Sequence, residues 1–142
     1  KPQTTAQYLV FILHWGYFCG VNAIVGHELL HRKENHNKVI GTWPYTKFLY
    51  SHFLDEHVNG HHRYIATLED PATGRKNEPV QAFIFRSIYG SHVNTWNRYV
   101  GRIKRRLGEK ATIFDYVARN RMTHWFLLHV GICSVIYKFL GW

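Results

Sequence analysis

Histidine is the residue of this sequence best suited to chemistry, and it occurs eleven times in 142 residues. Two groups of histidines have the spacing of metal ligands. We call residues 27–31 (HELLH) the first box and residues 56–62 (EHVNGHH) the second box. Neutral imidazole is a good ligand for zinc, iron, copper and nickel. The boxes therefore predict a metal centre whose ligands are His27, His31, His57, His61 and His62.

Helical spacing explains how each box could present its imidazoles together. Residues four apart on an α-helix lie about 40° apart around its axis, so His27 and His31 share one face. His57 and His61 repeat this spacing, and His62 lies about 100° further round, toward an adjacent coordination position. The remaining histidines lack such a pattern and are left outside the predicted site: His14, His36, His52, His92, His124 and His129.

The number of imidazoles bears on which metal is bound. The first box also has the His-Glu-x-x-His pattern of zinc proteases, in which Glu28 would act as general base for a zinc-bound water. A catalytic zinc takes three protein ligands and keeps one position open. Five imidazoles exceed that need and fit a two-metal site better. A set of histidines without thiolates suits oxygen-activating iron, although affinity alone leaves zinc open.

Two long uncharged stretches must position these boxes. Residues 8–26 contain no Asp, Glu, Lys or Arg, and nineteen residues at 1.5 Å each can cross a hydrocarbon core of about 30 Å. A buried core helix is the alternative for this stretch. Residues 122–137 are also uncharged, and snorkelling of Lys138 would extend a second span to residue 140. We predict an all-α integral membrane helical bundle, with the boxes at the cytoplasmic ends of helices.

The polar part of the chain lies between the two predicted spans. Residues 39–54 are predicted to form a helix that starts near Pro44 and is either partly buried or at the membrane interface. Residues 68–79 are predicted to form a loop rich in proline and charge. The net charge is +9, and residues 98–121 hold eight of the basic side chains. The positive-inside rule places this stretch in the cytoplasm. A basic module for nucleic acid or a membrane surface is a third function class, and we predict no nucleic-acid partner.

Sequence around the boxes resembles one family closely. The chain is similar to the membrane-bound alkane 1-monooxygenases, which belong to the fatty acid desaturase-like superfamily of di-iron enzymes. Their motif HE(L/M)xHK is matched by the first box, with Arg32 where lysine is usual, and EHxxGHH is matched in full by the second box. Residues 63–75 resemble the stretch RxxATxxDPATxR that follows in the family. The detailed match covers about residues 22–90.

The resemblance implies an activity, a cofactor and partners. It implies O₂-dependent hydroxylation of a terminal alkyl C–H bond at two non-haem iron ions, in which Glu28 and Glu56 orient ligand imidazoles. Electrons would come from a rubredoxin-like carrier and its NAD(P)H reductase, and the substrate would be an alkane or another hydrophobic molecule. The enzyme would lie among membrane lipids, in the inner membrane of a bacterium or the endoplasmic reticulum of a eukaryote. Basic side chains could steer an acidic carrier: Arg102, Lys104, Arg105 and Arg106.

The sequence also departs from the family pattern. Two further family boxes, NYxEHYG and one ending in HxxHH, do not occur in residues 1–142. We therefore expect the chain to be part of one membrane domain truncated at both ends, to supply part of the ligand set, and to be inactive alone. A desaturase or another lipid hydroxylase of the same superfamily is the alternative function. An intramembrane zinc metalloprotease built on His27, Glu28 and His31 is the second alternative.

Overall fold

A computed structural model describes residues 4–140 of the chain, and its side chains as far as residue 139. The described residues contain helices and turns and no β-strand, which confirms the all-α class. The chain divides into two compact units, residues 1–51 and 52–142. The helices are α1 (Thr5–Leu30), α2 (Asn35–Thr46), α3 (Phe53–Glu56), α4 (His62–Tyr64), α5 (Val80–Leu107), α6 (Ile113–Ala118) and α7 (Arg121–Leu140), with a π-helical turn at His57–His61 and a 3₁₀ turn at Gly108–Lys110.

Helix α1 is the main element of the first unit. It begins at a capping box, in which the Thr4 hydroxyl accepts from the Gln7 amide and the Gln7 side chain accepts from the Thr4 amide. Of the 26 residues of α1, three are buried (Cys19, Gly26 and Leu30), so α1 is not a core helix of this unit. Large apolar groups such as Leu13 and Tyr17 are more than 70% exposed. Among the described helices, α1 alone has the length and apolar composition of a membrane span.

Helix α2 packs against the end of α1 through a close approach of two glycines. A Cβ on Gly41 would lie 2.7 Å from the carbonyl oxygen of Gly26, and a Cβ on Gly26 would lie 2.8 Å from that of Gly41. The Tyr45 hydroxyl donates to the carbonyl of Ala23 at 2.8 Å. The backbone contact holds α2 directly beside the turn of α1 that carries the first box.

The prediction of a helix that starts near Pro44 is wrong about where the helix begins and ends. Helix α2 begins at Asn35, Pro44 lies inside it, and the helix ends two residues later at Thr46. Proline lacks the amide that would bond one turn back, which weakens the helix at that point. Leu49 then adopts a left-handed φ of 56°, so the chain turns before α3 begins at Phe53.

The second unit is built around the 28-residue helix α5. Its buried residues recur at every fourth position and form one stripe: Ser91, Thr95, Tyr99 and Ile103. The residues between α4 and α5 form a loop, as predicted for residues 68–79. The Arg86 guanidinium on α5 fixes this loop by donating to the carbonyls of Pro71 and Thr73, each at 2.9 Å, and to the Glu78 carboxylate at 2.6 Å.

Helix α7 coincides with the second predicted span. It covers Arg121–Leu140, so the helix predicted over residues 122–140 is confirmed as a helix. Most of its large apolar side chains are exposed in the described chain, including Phe126 and Leu127. Its role as a membrane crossing stays a prediction, as does the multi-span bundle.

Candidate metal centre

The first box occupies the last turn of α1. His27 lies within the helix and His31 is its C-terminal cap. Their Nε2 atoms are 3.3 Å apart, and their ring centroids are 4.7 Å apart at nearly perpendicular planes. The predicted shared face of His27 and His31 is therefore present, with the two Nε2 atoms adjacent.

Glu28, the acid within the first box, is paired with an arginine. Its carboxylate accepts from Arg32 at 3.2 Å, one turn along the chain, and two thirds of the side chain is exposed. An exposed pair of this kind contributes little to stability. Orientation of an imidazole by Glu28 stays a prediction.

The second box has a different backbone from the one predicted. His57–His61 forms a π-helical turn, closed by the His62 amide donating to the carbonyl of His57. The wider turn brings together residues five apart, so the Nε2 atoms of His57 and His62 are 3.0 Å apart. The rings of His57 and His61 stack with centroids 5.5 Å apart. The predicted α-helical geometry of this box is thus wrong, while its three imidazoles do lie together. Single π-turns inside helices are frequent at functional sites.

Contacts to α5 explain the shape of this turn. A Cβ on Gly60 would lie 2.7 Å from Arg98 Nη1 and 2.8 Å from Glu56 Oε2, so only glycine leaves room for that ion pair. Arg98 Nη2 donates to Glu56 Oε2 at 2.5 Å, and the Thr95 hydroxyl donates to the same oxygen at 3.1 Å. The second oxygen of Glu56 is buried without a hydrogen-bond partner among the described residues. Glu56 therefore attaches the box to α5, and its contact with an imidazole stays a prediction.

A second carboxylate strengthens the same attachment. The buried Asp55 accepts a short hydrogen bond from the Tyr99 hydroxyl, and Arg102 and Arg121 lie 3.6 and 3.9 Å from its oxygens. Burial, together with the bond to Asp55, raises the pKa of Tyr99, so its hydroxyl stays protonated as a donor. These contacts fix the helix turn that precedes His57.

Asp70 is a functional candidate that the sequence reasoning missed. Its side chain is fully buried, and Oδ2 lies 2.8 Å from Nδ1 of His61. The same carboxylate accepts from the Thr73 hydroxyl at 2.5 Å and the Ala72 amide at 2.9 Å. A carboxylate on one ring nitrogen fixes the tautomer and presents the other nitrogen to a metal. Asp70 therefore holds the Nδ1 side of the His61 ring, which leaves Nε2 as the nitrogen that could bind a metal.

The charge state of Asp70 suits this role. Burial alone would raise the pKa of Asp70, but the hydrogen bonds from Thr73, the Ala72 amide and His61 outweigh burial and hold the pKa below its usual value. The carboxylate is therefore ionised and can only accept. The signal for it in the sequence was the segment Asp70-Pro71-Ala72-Thr73, where an aspartate followed by a hydroxyl residue favours a local turn.

Three further histidines, His52, His92 and His129, lie near one another in the second unit, although their spacing in the sequence gave no reason to pair them. The rings of His52 and His92 are 4.1 Å apart between centroids, and His52 is 1% exposed. Burial, reinforced by the nearby His92, His129 and Arg98, lowers the pKa of His52 to about 3, so the ring is neutral. This cluster is separate from both boxes in the sequence and supports the packing of α5.

The donor atoms of the boxes fit a first-row transition metal. Two imidazole nitrogens bound to one ion at about 2.1 Å, with tetrahedral or octahedral angles, lie about 3.0–3.4 Å apart. The His27–His31 and His57–His62 pairs have this separation. Together with the Nδ1 contact of His61 to Asp70, this geometry is compatible with metal binding, and the assignment of the five imidazoles as metal ligands stays a prediction. All five donors are nitrogens, which suits iron as well as zinc.

Comparison with known proteins resolves the family. A sequence profile described as "Fatty acid desaturase" matches residues 4–142. The chain belongs to the fatty acid desaturase family. It is 34% identical over 141 residues to an alkane 1-monooxygenase of Ectopseudomonas oleovorans, which covers 99% of this chain and 34% of that protein. It is 30% identical to alkane 1-monooxygenase 1 of Alcanivorax borkumensis, with the same coverage, and 31% identical over 135 residues to an alkane 1-monooxygenase of Pseudomonas putida, covering 95% and 32%.

The match extends well beyond the boxes. The chain spans about a third of the length of these curated relatives. Nearly the whole chain is aligned, so the resemblance first seen over residues 22–90 holds through α5 and α7 as well. The predicted family is confirmed, and a zinc protease is not favoured by these relatives.

Proposed function

We propose that the full-length protein is a non-haem di-iron monooxygenase that hydroxylates the terminal carbon of an alkane or a similar hydrophobic molecule. Its relatives named alkane 1-monooxygenase align over nearly the entire chain, including both boxes. The balanced reaction consumes the C–H bond, one O₂, two electrons and two protons, and gives the alcohol and water. The electrons come from a rubredoxin-like carrier that an NAD(P)H-dependent reductase keeps reduced.

The observation that carries this proposal is the convergence of imidazole nitrogens in boxes that the alkane 1-monooxygenase relatives align with. His27, His31, His57, His61 and His62 would hold iron, with further ligands from the rest of the full-length protein. Bound iron supplies the one-electron and O₂ chemistry that side chains lack. Asp70 keeps the proton of His61 on Nδ1, so that Nε2 is the coordinating atom. The Glu56–Arg98 pair holds the turn against α5.

We place the active site at the cytoplasmic face of a membrane. The exposed apolar surface of α1 and the basic stretch of residues 98–121 support this assignment. The first box then follows directly after a span, where an apolar substrate can leave the bilayer and a soluble electron carrier can approach. Lys76 lies in the exposed loop between α4 and α5. A Lys76→Cys variant, with Cys19 and Cys133 replaced, should react with an impermeant thiol reagent only after the cytoplasmic face is opened, and labelling in intact cells would reverse the orientation.

The alternative within the superfamily is desaturation of an acyl chain, which uses the same metal and O₂. Both reactions start at an unactivated C–H bond, so the product decides between them. The relatives named alkane 1-monooxygenase favour insertion of oxygen. The zinc protease would need Glu28 at the metal, and its carboxylate is instead paired with Arg32.

The test uses the full-length protein in membranes with a rubredoxin, its reductase, NADH and ¹⁸O₂. We expect a linear alkane to give the 1-alcohol with one ¹⁸O atom, and His57→Ala to abolish the product. His36→Ala, which removes an exposed histidine of α2, is the matched control and should retain the activity. An alkene without incorporated oxygen would assign desaturation instead, and peptide cleavage that depends on Glu28 would replace the proposal with a protease.

A further inference from the structure

The second unit contains a cleft that the proposed reaction does not use. Its volume is about 780 Å³, and its walls are the second box on one side and α5 on the other. Four arginines line it, Arg63 beside the box and Arg98, Arg102 and Arg105 along one face of α5. Glu69 is the carboxylate in the lining, and Asn59 and Asn97 add carboxamide groups. Positive charge therefore exceeds negative charge within a concave surface.

Two of the arginines form the rigid floor of the cleft. Arg98 is three-quarters buried and is held by Glu56 and by the Thr95 hydroxyl at 2.8 Å. Arg102 lies over the Tyr99 ring, 5.1 Å from its centroid, and 3.6 Å from Asp55. Their carboxylate partners are Glu56, the first residue of the second box, and Asp55 directly before it, so both guanidinium groups are tethered to that segment.

The other two arginines carry charge without an internal counter-ion. Within the described part of the chain, no carboxylate lies within ion-pair distance of Arg63 or Arg105. Arg63 packs against the Tyr64 ring at 5.5 Å, and Arg63 and Arg105 are both exposed. Two unneutralised guanidinium groups across a concave site favour binding of an anion.

The shape and the donors of the cleft favour a phosphate over an acidic protein. Planar guanidinium groups bind phosphate oxygens through two parallel hydrogen bonds. The volume lies within the range of about 300–1,000 Å³ that is usual for small-molecule sites. A docked protein instead needs about 800 Å² of surface on each partner. In this unit four arginines line a single cleft.

We propose that this cleft binds a phosphate group, with Arg63 and Arg105 as its principal ligands and Arg98 and Arg102 as the fixed floor. The phosphate could belong to the headgroup of an anionic phospholipid or to a free phosphate ion, and the chemistry of recognition is the same. The site is distinct from the metal centre, because none of its four arginines is a candidate iron ligand.

The test uses the full-length protein and two probes at constant ionic strength. Inorganic phosphate is titrated calorimetrically into detergent-solubilised protein, and retained phosphatidylglycerol is measured by native mass spectrometry after transfer from mixed phosphatidylcholine nanodiscs. We expect saturable binding of one probe, weakened about tenfold or more in the Arg63→Gln/Arg105→Gln variant. Retention of phosphatidylglycerol would assign a lipid headgroup, and binding of inorganic phosphate alone would assign a free phosphate.

The matched control is the Lys104→Gln/Arg106→Gln variant. It removes two positive charges, as many as the cleft variant does, but both residues lie on α5 outside the cleft lining. It should bind phosphate as the parent does. Equal weakening in both variants would show that the effect is diffuse charge and would overturn the proposal. Absence of saturable binding by either probe would do the same. The proposal would also be overturned if the Arg63→Gln/Arg105→Gln variant lost affinity for an acidic rubredoxin while its phosphate binding stayed unchanged, since the cleft would then be a protein-docking surface.

Discussion

Asp70 is the residue whose position says most about how the second box works. It lies nine residues after His61 and reaches it only because the intervening loop folds back and is fixed by Arg86. Three donors surround its buried carboxylate, so its charge is compensated. The imidazole of His61 is thereby held in one tautomer before any metal binds.

Replacement of Asp70 by asparagine should weaken the metal site without removing a ligand. Asparagine has the same size but carries no charge, so the charged hydrogen-bond partner of the His61 ring is lost. We expect the affinity for iron to drop by roughly 10–100-fold, as is usual when the hydrogen-bond partner of a metal-binding histidine is removed. Equilibrium dialysis with Fe²⁺ measures this directly. Glu69→Gln is the control, because Glu69 is the adjacent exposed acid, and equal affinities in all three proteins would remove Asp70 from the site.

His52 makes the stability of the second unit sensitive to pH. In the folded chain the pKa of His52 is about 3, and in the unfolded chain it is about 6.5. The unfolded state therefore binds more protons between these values, and its free energy falls as the pH decreases. Burial of neutral His52 therefore leaves the free energy of unfolding at its full value above about pH 6.5. Below that pH the free energy of unfolding falls progressively, by about 2 kcal/mol at pH 5.

A His52→Gln variant tests this effect by its slope. Glutamine is uncharged throughout, so the decrease in unfolding free energy between pH 7 and pH 5 should be about 2 kcal/mol smaller in the variant. Chemical denaturation followed by tryptophan fluorescence at several pH values gives the comparison. Parallel pH curves for the two proteins would show that His52 is not buried as a neutral ring.

At the scale of elements, the approach of α1 and α2 depends on two glycines. Each would place a Cβ under 3 Å from the backbone oxygen of the other, and a backbone atom cannot move aside as a flexible side chain can. The contact lies at Gly26, immediately before His27. Separation of the helices would therefore disturb the turn that presents the first box.

A Gly41→Ala substitution should destabilise this helix pair. The added methyl group would meet the Gly26 carbonyl at 2.7 Å and Leu30 at 2.9 Å, and overpacking of this kind costs about 1–3 kcal/mol. We expect a lower midpoint of thermal unfolding in detergent. Gly20→Ala on α1 has nothing within 4 Å of its new Cβ and should be neutral or slightly stabilising. A midpoint for Gly41→Ala equal to that of Gly20→Ala would refute the close contact.

These elements also show what the sequence could reveal. Long uncharged stretches predicted α1 and α7, and helical spacing predicted the pairing of His27 with His31, because each depends on residues within a single stretch or turn. The π-turn could not be predicted, since it depends on Gly60 fitting against Arg98, far along the chain on α5. Pro44 was misplaced because the helix around it is supported by packing on α1. Contacts such as His61–Asp70 cross a loop and leave no periodic trace.

At the scale of the whole molecule, the chain combines the apolar helix α1 with a second unit that carries the larger box and most of the basic side chains. Helix α1 exposes apolar side chains along most of its length, whereas α5 buries one narrow stripe and places three arginines along the cleft. This division suits the proposed function, in which the substrate comes from lipid and the electrons come from solution. The family profile covers both units, and their assignment to one membrane domain stays a prediction.

The central claim is that the two boxes hold iron, and metal analysis of the purified full-length protein tests it most directly. We predict about two iron ions per chain by mass spectrometry, with His61→Ala reduced to one or fewer and His36→Ala unchanged, because only His61 supplies a ligand atom. Preserved membrane insertion of the variants, shown by carbonate extraction, would exclude misfolding. One zinc ion per chain, or full iron content in His61→Ala, would contradict the account.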